Sequence, residues 1–520
     1  MAEVLEDKEM VDVHPLDKHN RELVDNVHPA SWNNPEPSGR YNIVVIGAGT
    51  AGLVTAAGAA GLGARVALIE RHLLGGDCLN YGCVPSKALI RAGRAYADVR
   101  DAARYGVSVP LGTRVDFEAV MERMRRLRSS ISRHDSAGRF RDLGVDVFLG
   151  SGRFTGPRTV QVAGIAGDRT LEFSKACIAT GARAAAPPIP GLKEAGFLTN
   201  ETVFSLTRLP SRLAVIGAGP IGCEMAQAFT RFGSKVCLLQ SAPQVLHREE
   251  PEAALRVQKS LLADGVQLFV DAKVNGASAG PEGKKVRYSV GGKDREVEVD
   301  EILVGVGRSP NVEGLALEAA GVEYDATAGV MVNDNLRTTN PSIYAAGDIC
   351  FPYQFTHTAD ALARIVIQNA LFNVPLKGRA RTSALTIPWC TYTDPELAHV
   401  GLSPEEARKR GIEVETFTQE FREVDRAVLD GDDDGLARIH VKKGTGRIVG
   451  ATVVARHAGE MIGEIALAMT GGLGMKTLSA TIHPYPTQAE ALKRLGDAYL
   501  RTQLKPWVKS VLRRWFAWTR

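Results

Sequence analysis

Cys78 and Cys83 stand with four residues between them in Gly75-Gly76-Asp77-Cys78-Leu79-Asn80-Tyr81-Gly82-Cys83-Val84-Pro85-Ser86-Lys87. The run begins five residues after a strand–glycine-loop–helix–strand pattern has ended. That placement predicts two thiols at the head of a second helix, beside whatever nucleotide the first pattern holds. A thiol at a helix N-terminus gains thiolate character from the exposed backbone N–H groups and the helix dipole. Two thiols this close can also join reversibly as a disulfide. We read them as a redox pair rather than as two neighbouring core cysteines.

The elements that would position this pair are announced by an internal repeat. Ile43-Val44-Val45-Ile46-Gly47-Ala48-Gly49-Thr50-Ala51-Gly52 is echoed by Leu213-Ala214-Val215-Ile216-Gly217-Ala218-Gly219-Pro220-Ile221-Gly222. Each is a β-branched strand running into G-x-G-x-x-G, then an Ala-rich helix and a second strand, at 64–69 and 235–239. One such motif is weak evidence; two in the same context predict two dinucleotide sites, with the pyrophosphate on the helix N-terminus. Gly47, Gly49 and Gly52 would shape the first, Gly217, Gly219 and Gly222 the second. Glu70 ends the first unit, where a carboxylate accepts hydrogen bonds from an adenosine ribose, as in FAD or NAD. Gln240 holds the same place in the second unit and carries no charge to repel a 2′-phosphate. NAD(P)H is therefore expected there, leaning to NADPH, with His247 and Arg248 nearby but Ser241 in place of an arginine. Ala179-Thr180-Gly181 ends another strand, Gly307 lies in the segment closing the second unit, and Ile343 to Asp348 reads as a buried strand ending in Gly-Asp. The Asp348 carboxylate is suited to hydroxyls of a flavin chain, and Gly76, Thr180, Gly181 and Gly307 join it as expected cofactor contacts.

Composition sets the frame. A chain of 520 residues holds about three or four domains. Hydrophobic content of 44% and charged content of 23% are globular values, and a net charge of +4 argues for no nucleic acid. Seven cysteines do not make a disulfide-stapled secreted protein, so a reducing, cytoplasmic setting is expected. Cys177, Cys223, Cys237, Cys350 and Cys390 read as small core residues. The acidic start, Met1 to Lys8, lacks the apolar stretch of a secretory leader. Asn42 to Ala64 is 23 residues without a charge, but its six glycines and its strand–turn–helix pattern argue against a membrane span. Residues 91–144 read as two long arginine-rich helices with solvated faces. Residues 1–39 read as an extended surface arm whose isolated histidines bind no metal. Residues 500–520 hold six basic residues, no acidic ones, and Trp507, Trp515, Phe516 and Trp518. That tail fits a basic amphipathic helix, either an interfacial membrane anchor or a helix packed on a partner.

Together these residues resemble the pyridine nucleotide–disulfide oxidoreductases, over roughly residues 40–496, with the mercuric reductase-like and dihydrolipoyl dehydrogenase-like branch nearest. The resemblance implies an α/β fold: two Rossmann-like FAD and NAD(P) domains plus an α+β C-terminal dimerisation domain. The implied order is an N-terminal extension (1–39), FAD domain (40–195), NAD(P) domain (196–325), return to the FAD domain (326–381), dimerisation domain (382–496) and tail (497–520). It implies a homodimer in which electrons pass from NAD(P)H by way of FAD to a Cys78–Cys83 disulfide. By that likeness Cys83 is the flavin-proximal sulfur, Cys78 attacks substrate, and Lys87, ion-paired with Glu224, stands near the reactive flavin nitrogen.

Two departures stand out. The family's His-Pro-Thr-x-x-Glu base segment, which the resemblance implies is supplied by the partner subunit, reads here His483-Pro484-Tyr485-Pro486-Thr487-Gln488-Ala489-Glu490, which puts Tyr485 at the base position and Glu490 at its carboxylate. A phenol near pKa ~10 shuttles protons poorly compared with imidazole near ~6.5. Mercuric reductases also carry tyrosine here, yet this chain has no cysteine after Cys390 to pass a metal ion. Asp77 replaces a usual threonine and should raise the Cys78 pKa. The acceptor is thus open among a small disulfide, a thiol-bound metal ion and a quinone. A dihydrolipoyl dehydrogenase, using His483 or Tyr485, is the alternative enzyme; a non-catalytic flavin redox sensor or membrane-associated scaffold is the alternative of another class.

Overall fold

The computed structural model describes residues 13–164, 167–372 and 378–520. The acidic stretch 1–8, and with it the reading of the leader, lies outside them. The chain begins, among the described residues, with a correction. Asp17 accepts hydrogen bonds from the His19 and Asn20 amides and starts helix α1 (Lys18–Val27), so this part of the expected extended arm is helical. Leu23 and Val27 are fully buried on it. Further along, Trp32 and Asn34 bond the Val147 and Leu149 carbonyls, so residues 28–36 are tied to the sheet below rather than trailing.

The first Rossmann-like unit runs β1 (Tyr41–Ile46), α2 (Thr50–Gly61), β2 (Val66–Glu70), the one-turn helix α3 (Gly76–Asn80), α4 (Cys83–Arg100), α5 (Phe117–Ser132), β3 (Val145–Leu149) and β4 (Arg169–Ile178). Its sheet is parallel in the order β3-β2-β1-β4, with Ile46 paired to Ile69 on one side and Ile178 on the other. Helices cover one face and a β-hairpin crosses near the other. That explains why Ile43 to Ile46 are an unbroken apolar run rather than an alternating one. Of the two long arginine-rich helices expected over 91–144, α5 lies within that span and α4 starts earlier, at Cys83, and their faces are not all solvated. Arg125 and Arg128 are buried against α1, where Asp17 pairs with Arg125 at 2.5 Å and Asn20 accepts from Arg128 at 2.7 Å.

The second unit repeats the first with β5 (Arg212–Ile216), α6 (Pro220–Phe232), β6 (Lys235–Leu239), β7 (Gln267–Phe269) and β8 (Glu301–Val304), in the parallel order β7-β6-β5-β8. A three-stranded antiparallel meander over 273–299 is inserted before β8. The chain then returns. β9 (Ile343–Ala345) lies parallel to β4 in the first sheet, and α7 (Thr356–Leu371) packs on α2. Last comes an antiparallel five-stranded sheet, β10 (Pro388–Thr391), β11 (Glu396–Gly401), β12 (Val414–Glu420), β13 (Leu436–Lys442) and β14 (Arg447–Ala455), in the order β10-β11-β14-β13-β12. Helices α8 (Ala458–Thr470) and α9 (Glu490–Gln503) pack on it. A final helix, α10 (Pro506–Trp518), has no buried residue. The result is the expected α/β fold with two dinucleotide-type domains and a separate α+β domain. No helix among the described residues is long and apolar enough to cross a membrane, and Asn42 to Ala64 is a strand, turn and helix.

Candidate active site

The two glycine loops hold matching geometry. Gly47 and Gly217 adopt φ of +101° and +99°, so each strand turns into its helix within one residue. A Cβ on Gly52 would lie 1.8 Å from the Gly47 carbonyl oxygen, and one on Gly222 would lie 1.9 Å from that of Gly217. These third glycines seat the helix on the turn and do not line the cavity. The second glycines face it: a Cβ on Gly219 meets nothing within 4 Å, and one on Gly49 meets only the Gly76 Cα at 3.8 Å. Both loops thus leave backbone N–H groups open to a pyrophosphate.

The loops open into one cavity of about 2000 Å³ that runs continuously from the first unit to the second. Glu70, Gly76, Cys78, Cys83, Lys87, Thr180, Gly181, Gln240, Gly307 and Asp348 all line it. Glu70 is anchored by accepting from the Ala48 amide at 2.6 Å and the His72 amide at 2.8 Å, and burial raises its pKa. Gln240 accepts from the equivalent Ala218 amide at 3.3 Å, and its NH2 donates to the Gln244 carbonyl. The amide therefore keeps the structural bond of Glu70 without its charge. Thr180 and Asn311 bond each other reciprocally at 2.9 Å, fixing the turn at Gly181.

The thiols lie where two helix N-termini converge. Cys83 is the first residue of α4, and Thr356, the first residue of α7, stands 3.4 Å from its sulfur. Cys78 sits one turn earlier, on α3. A hydrogen bond from Cys78 holds the Cys83 pKa below the ordinary thiol value against burial, and Thr356 and the Lys87 charge add to the lowering. The Cys78 thiol is pushed the other way by Cys83, by burial and, last, by the Asp77 charge. The pair is arranged as one thiolate and one thiol. Asp77 has the expected direction of effect on Cys78, but the charge is compensated. Asn200 donates to it at 2.7 Å and Arg308 at 3.2 Å.

Lys87, one turn into α4, reaches across to the second unit. Its Nζ lies 2.9 Å from Glu224 Oε2 and 4.5 Å from the centre of the Tyr392 ring. Glu224 is only 4% exposed, and its other oxygen accepts from the Tyr392 amide at 2.9 Å. Burial opposes the lysine charge, but Glu224 and Cys83 outweigh it and raise the pKa. The expected ion pair is therefore formed and faces the thiols.

Four participants were missed in the sequence. Thr356 follows no motif and is brought in by α7. Arg308, in Gly307-Arg308-Ser309-Pro310, pairs with Asp77 through Nη1 at 3.2 Å and with Asp348 through Nε at 3.3 Å, the second an ion pair without hydrogen-bond geometry. The open face of the Gly47–Gly49 loop suits phosphates, and Glu70 and Asp348 on the same cavity suit hydroxyls, so these residues fit FAD. Cys390, expected in the core, is half-buried and lines the same cavity, with burial raising its pKa. Glu249 accepts from the Trp389 indole at 2.7 Å, while burial raises its carboxyl to about 7.

The base segment behaves differently. Tyr485 is 71% exposed and donates to Asp425 at 2.8 Å, while Glu490 accepts from Arg494. Within one chain Tyr485 and Glu490 do not meet, and neither lines that chain's own cavity, the arrangement expected of a segment that serves the partner subunit. His483 turns back onto α8, with Nε2 3.1 Å from both Glu464 oxygens. Among the described residues no three His, Cys, Asp or Glu side chains group to hold a metal ion.

Two family profiles cover most of the chain: "Pyridine nucleotide-disulphide oxidoreductase" matches residues 41–363, and the dimerisation domain of the same family matches 387–495. The chain belongs to the pyridine nucleotide-disulphide oxidoreductases. Members are FAD-dependent oxidoreductases that use NAD(P)H, and the dimerisation profile indicates a homodimer. The chain is 34% identical to a mercuric reductase of Bacillus cereus, over 88% of this chain and 72% of that one. It is also 34% identical to a dihydrolipoyl dehydrogenase of Thermus scotoductus, over 88% and 97%. Among solved structures it resembles the HOCl-induced flavoprotein disulfide reductase RclA of Escherichia coli in its Cu(II) complex. There the TM-score is 0.78 at 28% identity, covering 89% of this chain and 100% of that one. LpdA of Mycobacterium tuberculosis gives a TM-score of 0.79 at 26% identity, over 88% and 99%.

Proposed function

We propose that this oxidoreductase passes electrons from NAD(P)H through Cys78 and Cys83 to an acceptor that needs no imidazole to protonate its leaving sulfur. A thiol-bound metal ion comes first, ahead of a small disulfide or a quinone. The observation that carries this reading is the paired state of the thiols beside the Lys87–Glu224 ion pair, joined to a base position held by an exposed tyrosine. When bound, FAD supplies two-electron exchange between nicotinamide and sulfur. The Lys87 charge would stabilise negative charge taken up by a bound flavin ring, and buried Glu224 fixes the direction of the lysine. Thr356 and the α4 N-terminus hold the Cys83 thiolate. By the family likeness, Cys78 is the sulfur that meets the acceptor. For a metal ion the reaction balances as NAD(P)H and Hg(II) giving NAD(P)+, a proton and Hg(0), with the thiolates released. Two relatives bear on metal ions by their printed names, a mercuric reductase and a reductase in a Cu(II) complex.

The His483–Glu464 contact favours one second reading, dihydrolipoyl dehydrogenase. A histidine oriented by a carboxylate is the arrangement thiol protonation requires. Steady-state NADPH and NADH oxidation with Hg(II), lipoamide, glutathione disulfide and a soluble quinone separates the readings. Turnover with Hg(II), lost in Cys78→Ser, is the expected result. Efficient lipoamide turnover, lost in His483→Gln, would replace it with the second. No turnover with any acceptor, despite a reducible flavin, would leave the redox sensor.

A further inference from the structure

Helix α10 stands apart from the rest of the molecule. Lys505 takes an extended conformation after Leu504, and Pro506 occupies the first helical turn, so the chain breaks from α9 and starts a new axis. The helix has no buried residue and lies beyond the end of the matched dimerisation domain at residue 495. At 3.6 residues per turn, Trp507, Val511, Leu512, Trp515, Phe516 and Trp518 share one half of its circumference. Every one of these is exposed, Trp507 at 67% and Trp518 at 78%. Lys509, Arg513 and Arg514 hold the other half, with Lys505 and Arg520 at the ends and no acidic residue after Asp497. The six basic residues from Arg501 onward exceed the net charge of +4 on the whole chain, so the rest of the molecule is slightly acidic. Three of its five tryptophans are in this tail.

We propose that α10 is an in-plane anchor for an anionic phospholipid surface. Thirteen residues make a helix about 20 Å long, too short to span a bilayer but long enough to lie in its interface. The aromatic half enters the headgroup–acyl boundary, where indole rings partition well, and the basic half faces lipid phosphates. Charge argues for this occupant over a second copy of the helix, because two such helices would bring like charges together. The rest of the protein, slightly acidic, has no net attraction to an anionic surface, so the net attraction comes from the tail.

Sedimentation of the full-length, FAD-loaded protein with phosphatidylcholine vesicles, with and without phosphatidylglycerol, tests the proposal. Tryptophan emission and the solution mass of the protein are followed in parallel. The expected results are pelleting and a blue shift with phosphatidylglycerol vesicles only, reversed at high salt. Replacing Arg513 and Arg514 together by Gln should weaken partitioning about 25-fold, at roughly fivefold per charge. Trp515→Glu combined with Phe516→Glu should abolish pelleting with dimer mass and flavin content unchanged. Three results would overturn the proposal: no pelleting at low salt, pelleting that survives the Glu substitutions, or pelleting equal on neutral vesicles. A Glu variant that becomes a monomer would also overturn it, assigning the helix to the partner subunit instead.

Discussion

Thr356 touches the Cys83 sulfur and Glu224 acts on it through Lys87, and each can be removed with little change of volume. Glu224→Gln leaves the Lys87 ammonium without its buried counter-charge and loosens its direction. Rapid-mixing measurement of flavin reduction by NAD(P)H should show a loss on the order of 10²-fold, the scale of a single aimed electrostatic contact. Thr356→Val acts on protonation instead. Because the folded pKa of Cys83 is depressed, its thiolate contributes stability fully above the unfolded thiol value near ~8.5, and loses it as pH falls through the folded value. Taking away the Thr356 hydroxyl raises the folded value, so that loss begins at higher pH. Alkylation of the reduced protein as a function of pH should shift its midpoint upward; an unmoved midpoint would show that Thr356 carries no part of the lowering.

At the scale of elements, α1 shows what a composition-based reading of the N-terminus could not. Its polar and charged residues look like a solvated arm, yet Asp17 at its N-cap and Asn20 meet Arg125 and Arg128 of α5, more than a hundred residues away, while Leu23 is buried in the core. Arg125 is 8% exposed and Asp17 is its carboxylate partner. Asp17→Ala removes both that partner and the cap of α1. The cost should be about 3 kcal/mol, since breaking a buried pair strands its other half. Denaturant unfolding of the holoenzyme would read this as a lower midpoint with the slope retained. The strand–glycine–helix units and the antiparallel strands of the third domain were legible because period and glycine spacing are local signals. Thr356, Arg308 and Cys390 were not, because only the return of α7 to the first unit, the pairing of residues 308–310 with 182–184, and the close packing of β10 bring them into the site. The Tyr485 position was legible by alignment, but its bond to Asp425 rather than Glu490 is a matter of tertiary packing.

Across the whole molecule, the two nucleotide sites share one cavity but have separate hinges of failure. A Cβ at Gly222 collides with the Gly217 carbonyl and displaces α6 from its turn, while the first loop is untouched. Gly222→Ala should therefore purify with its flavin and be reduced by dithionite but not by NAD(P)H. Gly52→Ala should purify colourless and lower in thermal stability. Flavin absorbance and calorimetry decide both, and a colourless Gly222→Ala protein would show that the loops are not independent.

The bond between Lys87 and Glu224 has an engineering consequence. The glutamate belongs to the nucleotide-binding unit, and the lysine to the unit that carries the sulfurs. Coenzyme preference therefore cannot be changed by grafting residues 196–325 from another reductase wholesale, unless the donor supplies an acid at the matching turn of its helix. A chimera lacking it would bind its new coenzyme and still stall, with an amine beside the sulfurs that nothing steers.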